Sequence, residues 1–283
     1  MAARTQPLDD RLNKRNFEML SKYIYDYSGI KMPQTKMTML EGRLRRRLRV
    51  TGMPTFDSYC DYIFKHGGLE SESIFLIDAV TTNKTDFFRE PKHFDYMTRT
   101  ALPEIVRNYG DRRIRTWSSA CSTGAEPYTM AMVLSDYLSS HAPERDYFVL
   151  ATDLSTDVLQ KAQRGIYQSE LLQPVPTEMM RKYVMRPADN RRPEMRIVPK
   201  LRSKVGFARM NLMDDNYPVG DPMHLIFCRN VLIYFDKPTQ NHVLNRLCAN
   251  LLPGGYLFIG HSETVTGFDL PIKQVANTVF KRV

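Results

Sequence analysis

The 283-residue sequence predicts an α/β fold: a mostly parallel sheet with helices on both faces, an all-α N-terminal region, and a small β subdomain inserted into the sheet region. Three observations predict it. Residues from about 10 to 80 carry helical periodicity only. From Arg115 onward, short apolar strand-like runs alternate with amphipathic helical segments, the pattern of a parallel sheet covered on both sides. Between Gly165 and Val205 the alternation stops in a tract rich in Pro, Arg and Lys. Loops that long inside compact domains have structure of their own or a function.

In the helical region, TKMTMLEGRLRRRLRV places Met37, Leu40, Leu44 and Leu48 within one stripe. On the same wheel Arg45, Arg46 and Arg49 point away from the stripe, while Arg43 and Arg47 flank it. Five arginines in so short a span are denser than solvation needs, and Arg favours bidentate recognition of carboxylate or phosphate. The face reads either as a docking surface or as a solvated helix face. Further on, RIRTW is a strand, and Met130, Val133, Leu134, Tyr137 and Leu138 mark one face of the helix after it. YFVLATD is a buried strand ending in Asp153. STDVLQKAQRG is a helix with Ser155 or Thr156 as N-cap and Gly165 at the stop. VGFARMNL and HLIFCRN are strands; the next helix carries Val243, Leu244, Leu247 and Leu251 on one side. It ends in LLPGG and returns as the strand YLFIG, and ANTVFKRV supplies one more strand at or near an edge.

The net charge is +9, and it is concentrated. Lys36 to Arg49 carries six basic residues against Glu41 alone, and Arg181 to Lys204 carries nine against Asp189 and Glu194. Together these blocks exceed the whole net charge, so the rest of the chain is slightly acidic. Clustered positive charge suits an anionic partner: nucleic acid, a membrane surface or an acidic protein face. No apolar run approaches the ~18 residues of a membrane span. MAARTQPLDDRLNKRN lacks the apolar core of a signal peptide, so a cytoplasmic location is expected. Cys60, Cys121, Cys228 and Cys248 form no CxxC pair and read as free thiols of a reducing compartment. The histidines do not fall at ligand spacing beside them, and no metal is expected.

In open parallel sheets the ligand sits beyond the carboxyl ends of the strands. Gly124 follows the first strand here, Asp153 ends the second, Asn211 and Leu212 follow the third, and Cys228, Arg229 and Asn230 follow the fourth. Asp153 lies where an acid commonly binds ribose hydroxyls. The turn SSACSTGAEPYTMA has a single glycine, and Glu126 two residues after it. A dinucleotide site needs more glycines, so that backbone can approach a pyrophosphate. Glu126 suits the helix dipole but repels phosphate; it either caps the helix or receives a cationic ligand group. S-adenosylmethionine has an adenosine for Asp153, no phosphate, and both an ammonium and a sulfonium. With LLPGGYL downstream, a methyltransferase is the better reading.

The segments TTNKTDFFRE (81–90), WSSACSTGAEPYT (117–129), ATDLS (151–155), Asn211-Leu212, FCRNVLIYFD (227–236) and GHSET (260–264) together resemble the chemotaxis receptor methyltransferases, the CheR family, over nearly the whole chain. The resemblance implies an N-terminal helical domain at 1–80, a linker at 81–95 contributing to the cofactor site, and a class I, Rossmann-like methyltransferase domain at 96–283. Its inserted β subdomain would occupy about 166–204. It implies a protein-glutamate O-methyltransferase that moves a methyl group from S-adenosyl-L-methionine to glutamates on the cytoplasmic helices of chemoreceptors. The products are glutamate methyl esters and S-adenosyl-L-homocysteine, and the role is adaptation in chemotaxis.

Carried over by position, Asn83, Thr85 and Arg89 match the family's cofactor-contacting segment. Glu126 and Asp153 match its acidic contacts, and Asn211, Leu212, Cys228 and Arg229 match its adenine-side positions. Arg89 and Tyr234 match residues beside the reacting centre. Without the resemblance, Arg89 reads as a surface ion pair, Tyr234 as core, and Phe87 and Phe88 as core aromatics. The α-helical receptor bundle gives Arg43, Arg45, Arg46, Arg47 and Arg49 an acidic partner without nucleic acid or membrane insertion, and the enzyme would reach receptor arrays through its receptors. In some members the β subdomain binds a peptide at the receptor's C-terminus; MRPADNRRPEMR lacks the glycine-containing turn of those members. Two rivals remain open: a methyltransferase of the same fold acting on RNA, although few aromatics interleave the arginines, and a non-catalytic S-adenosylmethionine sensor.

Overall fold

The structure, a computed structural model, describes residues 10–110, 112–189, 191 and 193–283. The first part of the N-terminal stretch read above for a signal peptide, and Asn190 and Arg192 of the insertion, lie outside the described residues. The chain forms two compact units, Met1–Thr82 with Tyr234–Thr239, and Asn83–Ile233 with Gln240–Val283.

The first unit is helical: α1 Lys14–Ser28, α2 Met37–Thr51, α3 Phe56–Lys65 and α4 Leu69–Val80. Local chemistry sets the ends. Asn13 caps α1 by accepting the Asn16 N–H, Thr55 and Ser58 form a capping box on α3, and Gly29 and Gly52 end α1 and α2 in the left-handed region. The expected stripe of α2 buries Leu40, Leu44 and Leu48 against a core that includes Leu20, Ile24, Phe56, Tyr59 and Leu76. Residues 234–239 belong to this unit: the Tyr234 carbonyl accepts the Lys31 N–H at 3.0 Å, and the Tyr25 hydroxyl donates to Asp236 at 2.7 Å. Hydrogen bonds from Tyr25 and Thr239 hold the Asp236 carboxyl down at about 2.

The second unit opens with α5 Pro91–Tyr96, a π turn at Met97–Ala101 and α6 Leu102–Asn108. Then follow β1 Ile114–Ser118, α7 Ala125–His141, β2 Tyr147–Asp153 and α8 Thr156–Arg164. The insertion holds β3 Ile166–Gln168, α9 Thr177–Tyr183, β4 Val184–Met185 and β5 Glu194–Ile197, and α10 Pro199–Arg202 leads out of it. The chain ends with β6 Val205–Arg209, β7 Met223–Cys228, α11 Lys237–Ala249, β8 Leu251–Ile259, β9 Ile272–Ala276 and β10 Val279–Arg282. Seven strands form one sheet in the order β6-β2-β1-β7-β8-β10-β9. The first five are parallel, and β10 runs antiparallel to both β8 and β9. From β1 the chain builds outward through β2 and β6, then returns to the other side at β7. The switch point, where such sheets bind ligands, therefore lies between β1 and β7.

Two local expectations change. Leu251 does not extend the helical face of α11. Asn250 closes that helix on the Arg246 and Leu247 carbonyls, and Leu251 opens β8 opposite Met223. The strand expected from ANTVFKRV is β10, next to the edge as expected, and the edge itself is the additional strand β9. Finally, α7 is buried nearly all round, not on one face, with Ala125, Tyr128, Ala131 and Met132 enclosed as well. The insertion forms its own three-stranded antiparallel sheet, β3-β5-β4. Among the described residues no helix is long and apolar enough to cross a membrane.

His224 on β7 makes the sheet unit acid-sensitive. It is 2% exposed, accepts the Arg115 N–H at Nδ1, and packs edge-on to Tyr109 at 4.8 Å. Burial pushes its pKa down to about 4. The folded value lies below that of the unfolded chain, so the unfolded state binds the proton first. The contribution is complete above pH ~6.5 and is lost as pH falls toward 4. Thermal midpoints of the wild type should fall across that window, and a His224→Gln variant should show a shallower fall; equal slopes would remove His224 as the cause.

Candidate functional site

The turn after β1 is shaped by two left-handed residues, Ser122 at φ 50° and Gly124 at φ 92°. At Gly124 a Cβ would stand 2.8 Å from both the Ala162 Cβ and the Tyr167 hydroxyl oxygen. Glycine is required there by the backbone and by the close packing of α8 and β3. The turn is tied to β2: the Cys121 N–H donates to the Thr152 carbonyl, and the Ser122 N–H to Asp153 Oδ2 at 2.8 Å. The Ser155 N–H donates to Asp153 Oδ1 at 3.0 Å. Asp153, 9% exposed, is thus an aimed carboxylate at the end of β2, with further acceptor capacity for a diol.

Glu126 does not cap α7; Gly124 is the N-cap, without a side-chain bond. One Glu126 oxygen accepts from the Ser118 hydroxyl at 2.7 Å and the other pairs with Arg229 at 3.2 Å. Arg229 follows β7, so this pair straddles the switch point. Its side chain is 1% exposed and reaches Glu90 Oε2 at 3.0 Å, while also donating to the Arg89 carbonyl. Phe94 and Phe227 lie against the guanidinium at 5.7 and 5.8 Å. Burial raises the Glu126 pKa above the usual carboxylate range, with Arg229 and Ser118 pulling it back. For Glu90 burial also acts upward, but Arg229, Asn230 and the His261 N–H outweigh it, and its pKa falls below that range.

The donor set fits S-adenosylmethionine. Glu126, at the start of α7, is a carboxylate that shares the Arg229 guanidinium with Glu90. A phosphate would meet that charge unfavourably; an ammonium or sulfonium relieves it. Asp153 stands on the neighbouring strand with acceptors for a ribose. Backbone strain gathers here too. Phe88, Glu90, Ser122 and Asn230 all hold positive φ without being glycine, a feature concentrated at functional sites.

Other expected residues are placed as follows. The Asn83 carbonyl accepts the Ser122 hydroxyl at 2.7 Å, which lays the segment 83–90 along the turn; Thr85 is half-buried in that segment. Arg89 sits between left-handed Phe88 and Glu90 and donates to the Lys84 carbonyl at 3.1 Å. Phe87 is core, edge-on to Tyr167, whereas Phe88 is half-buried against Phe94. After β6, Asn211 accepts the Met213 N–H, and Leu212 is buried with its carbonyl bound by Tyr217. The Cys228 thiol is fully buried, and burial raises its pKa. Arg229 was placed on the adenine side, but its guanidinium is spent on Glu90 and Glu126, leaving its backbone for any cofactor contact. Asn230 donates its N–H to Glu263 and its amide to Glu90. Tyr234 falls in the helical unit, where Lys36 approaches its ring at 5.7 Å. Glu90 and Glu263 were not singled out. Glu263 accepts the N–H groups of Gly260, Asn230 and Leu232 and clamps the loop after β7. Its signal was present, a carboxylate inside GHSET.

The arginines of α2 divide in two. Arg43 donates to the Val80 and Thr81 carbonyls and so closes the end of α4. Arg47 pairs with Glu72 at 2.6 Å, both side chains mostly buried, and stacks on Phe75. Arg45, expected to point away, turns back to Glu41 at 2.6 Å and lies over Phe56. These three hold the helical unit together. Arg46 and Arg49 are exposed and make no ion pair or hydrogen bond among the described residues.

Residues 83–281 match the family model for the CheR methyltransferase SAM binding domain, and residues 15–81 match that for the CheR methyltransferase all-alpha domain. The chain is 38% identical to a chemotaxis protein methyltransferase of Borreliella burgdorferi, covering 92% of each. It is 38% identical to the Escherichia coli protein of that name, covering 95% of this chain and 91% of the other. It is 34% identical to chemotaxis protein methyltransferase 2 of Pseudomonas aeruginosa, covering 94% and 92%. Solved structures align weakly; PKMT2 from Rickettsia typhi in complex with AdoHcy covers 59% of this chain and 25% of its own, at 16% identity and a TM-score of 0.35. Matched in both its helical and its sheet regions, the chain belongs to the CheR methyltransferase family, and S-adenosyl-L-methionine is its cofactor.

Proposed function

We propose that the protein methylates glutamate side chains on the cytoplasmic helices of chemoreceptors, for adaptation in chemotaxis. The observation that carries this reading is likeness along both regions of the chain, the all-α region included, to proteins named chemotaxis protein methyltransferases. S-adenosyl-L-methionine, when bound, supplies a methyl group on a sulfonium, whose C–S bond breaks as the carboxylate O–C bond forms, with no proton to move. A glutamate of pKa ~4.3 is already the nucleophile at neutral pH, so the chain needs no general base. Its residues orient and exclude water. Asp153 holds the ribose, Glu126 faces the cationic groups, and Asn83, Thr85, Asn211, Leu212, Cys228 and the Arg229 and Asn230 backbone frame the nucleoside. Arg89, its backbone pinned by Arg229, orients the incoming carboxylate. The Tyr234 hydroxyl has the same role; Tyr234→Phe with unchanged cofactor affinity and full turnover would remove it.

Docking falls to Arg46 and Arg49, the two α2 arginines with no ion pair or hydrogen bond among the described residues. Exposed charge contacts are worth up to ~1 kcal/mol each. The Arg46→Ala/Arg49→Ala double variant should therefore raise KM for a purified receptor cytoplasmic fragment by about 3–10-fold. Its kcat and its cofactor affinity should stay unchanged, and an unchanged KM ends the docking assignment.

A further inference from the structure

Beside Arg229, Glu90 and His93, three residues apart, and His261, remote in sequence, turn donor atoms toward one another. Glu90, His93 and His261 each offer one ligand atom, all within 4.8 Å of one another. His93 Nδ1 stands 3.4 Å from Glu90 Oε2, and His261 Nε2 stands 3.9 Å from the same oxygen. The two imidazoles meet edge to face, their centroids 5.0 Å apart.

On its other side the His93 ring meets Thr278. Thr278 Oγ1 donates its proton to the Asn277 carbonyl at 2.8 Å. The same oxygen stands 2.8 Å from His93 Nε2, and accepts from it in the tautomer with the proton on Nε2. In that tautomer Nδ1 presents a lone pair. The side chain is 2% exposed, and Nδ1 has no hydrogen-bond partner among the described residues. A buried lone pair facing a carboxylate oxygen is repelled unless a cation is shared between them.

We propose that Glu90 Oε2, His93 Nδ1 and His261 Nε2 bind one divalent transition-metal ion of the zinc class. Bonds of about 2.0–2.2 Å in a tetrahedral site place donor atoms roughly 3.3–3.5 Å apart. The His93–Glu90 separation meets that, and His261, with its side chain 40% exposed, is free to close the rest. Glu90 shares its charge with Arg229, so the ion is held mainly by imidazole nitrogen. That donor set favours zinc, cobalt or nickel over magnesium and calcium, which require oxygen ligands. Thr278 is the outer partner of the His93 ring.

The test titrates the full chain with Co2+, read by visible absorption, with Zn2+ as competitor. One equivalent should bind with the spectrum of a nitrogen- and oxygen-ligated ion, displaced by Zn2+. Losing an outer partner typically weakens a metal by about 10–100-fold, which is the expectation for Thr278→Val, while Thr278→Ser keeps the affinity. His261→Ala should weaken binding at least as much, with an unchanged thermal midpoint in the absence of metal. Equal Co2+ affinity in the wild type and His261→Ala, or no one-to-one complex, overturns the site.

Discussion

An Arg229→Ala variant is expected to lose about 3–5 kcal/mol of stability and most of its cofactor affinity. The magnitude is that of breaking a buried ion pair so that charge is left without compensation. Two carboxylates are stranded here, Glu90 and Glu126, each with a side chain only 12% exposed. The Arg89 carbonyl loses a donor as well, which frees the strained 88–90 segment from the end of β7. Arg229→Lys should recover only part of the loss, because an ammonium cannot fork between two carboxylates and a carbonyl. Adding Glu126→Gln to Arg229→Ala should restore part of the stability, Glu90 remaining stranded, without restoring affinity, the non-additive signature of groups that share one network. Denaturant unfolding and calorimetric binding of S-adenosylhomocysteine separate the two effects. Simple additivity of the two substitutions would show that Arg229 and Glu126 are not coupled.

The second large effect is expected at Gly124→Ala. An alanine there must hold φ near 92°, and its Cβ lies 2.8 Å from Ala162 Cβ and 3.2 Å from Ala162 Cα, atoms on or next to the backbone of α8. The strained conformation costs about 1–3 kcal/mol. Overpacking adds a comparable amount, typically about 1–3 kcal/mol. Relief requires the turn to move off α8, carrying Ser122 away from Asp153, so cofactor affinity should fall together with stability. Gly52→Ala is the control. It has a similar left-handed φ, 71°, but nothing lies within 4 Å of its Cβ, so it should show the dihedral cost alone. Equal destabilisation at both positions would rule out the packing contribution.

Much of this architecture was legible because it rests on local periodicity. YFVLATD and HLIFCRN are apolar enough to be read as buried parallel strands, and both are. The turn could be read because Gly124, Glu126 and Asp153 depart from a phosphate loop in a chemically coherent direction. Legibility stopped where partners are remote. Arg229 contacts residues 139 and 103 positions away, so nothing local distinguished a brace from a cofactor contact. In the Glu90–His93–His261 group, Glu90 and His93 stand at i,i+3, but nothing local joins the remote His261 to them. On α2 the helical wheel gave the direction of each Cβ but not the reach of a long side chain. Arg45 left the stripe as expected, yet folded back onto Glu41. Leu251 kept the helical spacing but was claimed by pairing with Met223, a non-local term that periodicity does not contain.

The central claim, carboxylate methylation, is tested most directly by the bond that is made. The protein is incubated with methyl-labelled S-adenosylmethionine and membranes carrying chemoreceptors, and the products are separated and treated with mild alkali. The expected result is label on receptor glutamates, released by alkali as methanol. Label that survives alkali, label on RNA, or cofactor binding without transfer to any receptor would contradict it.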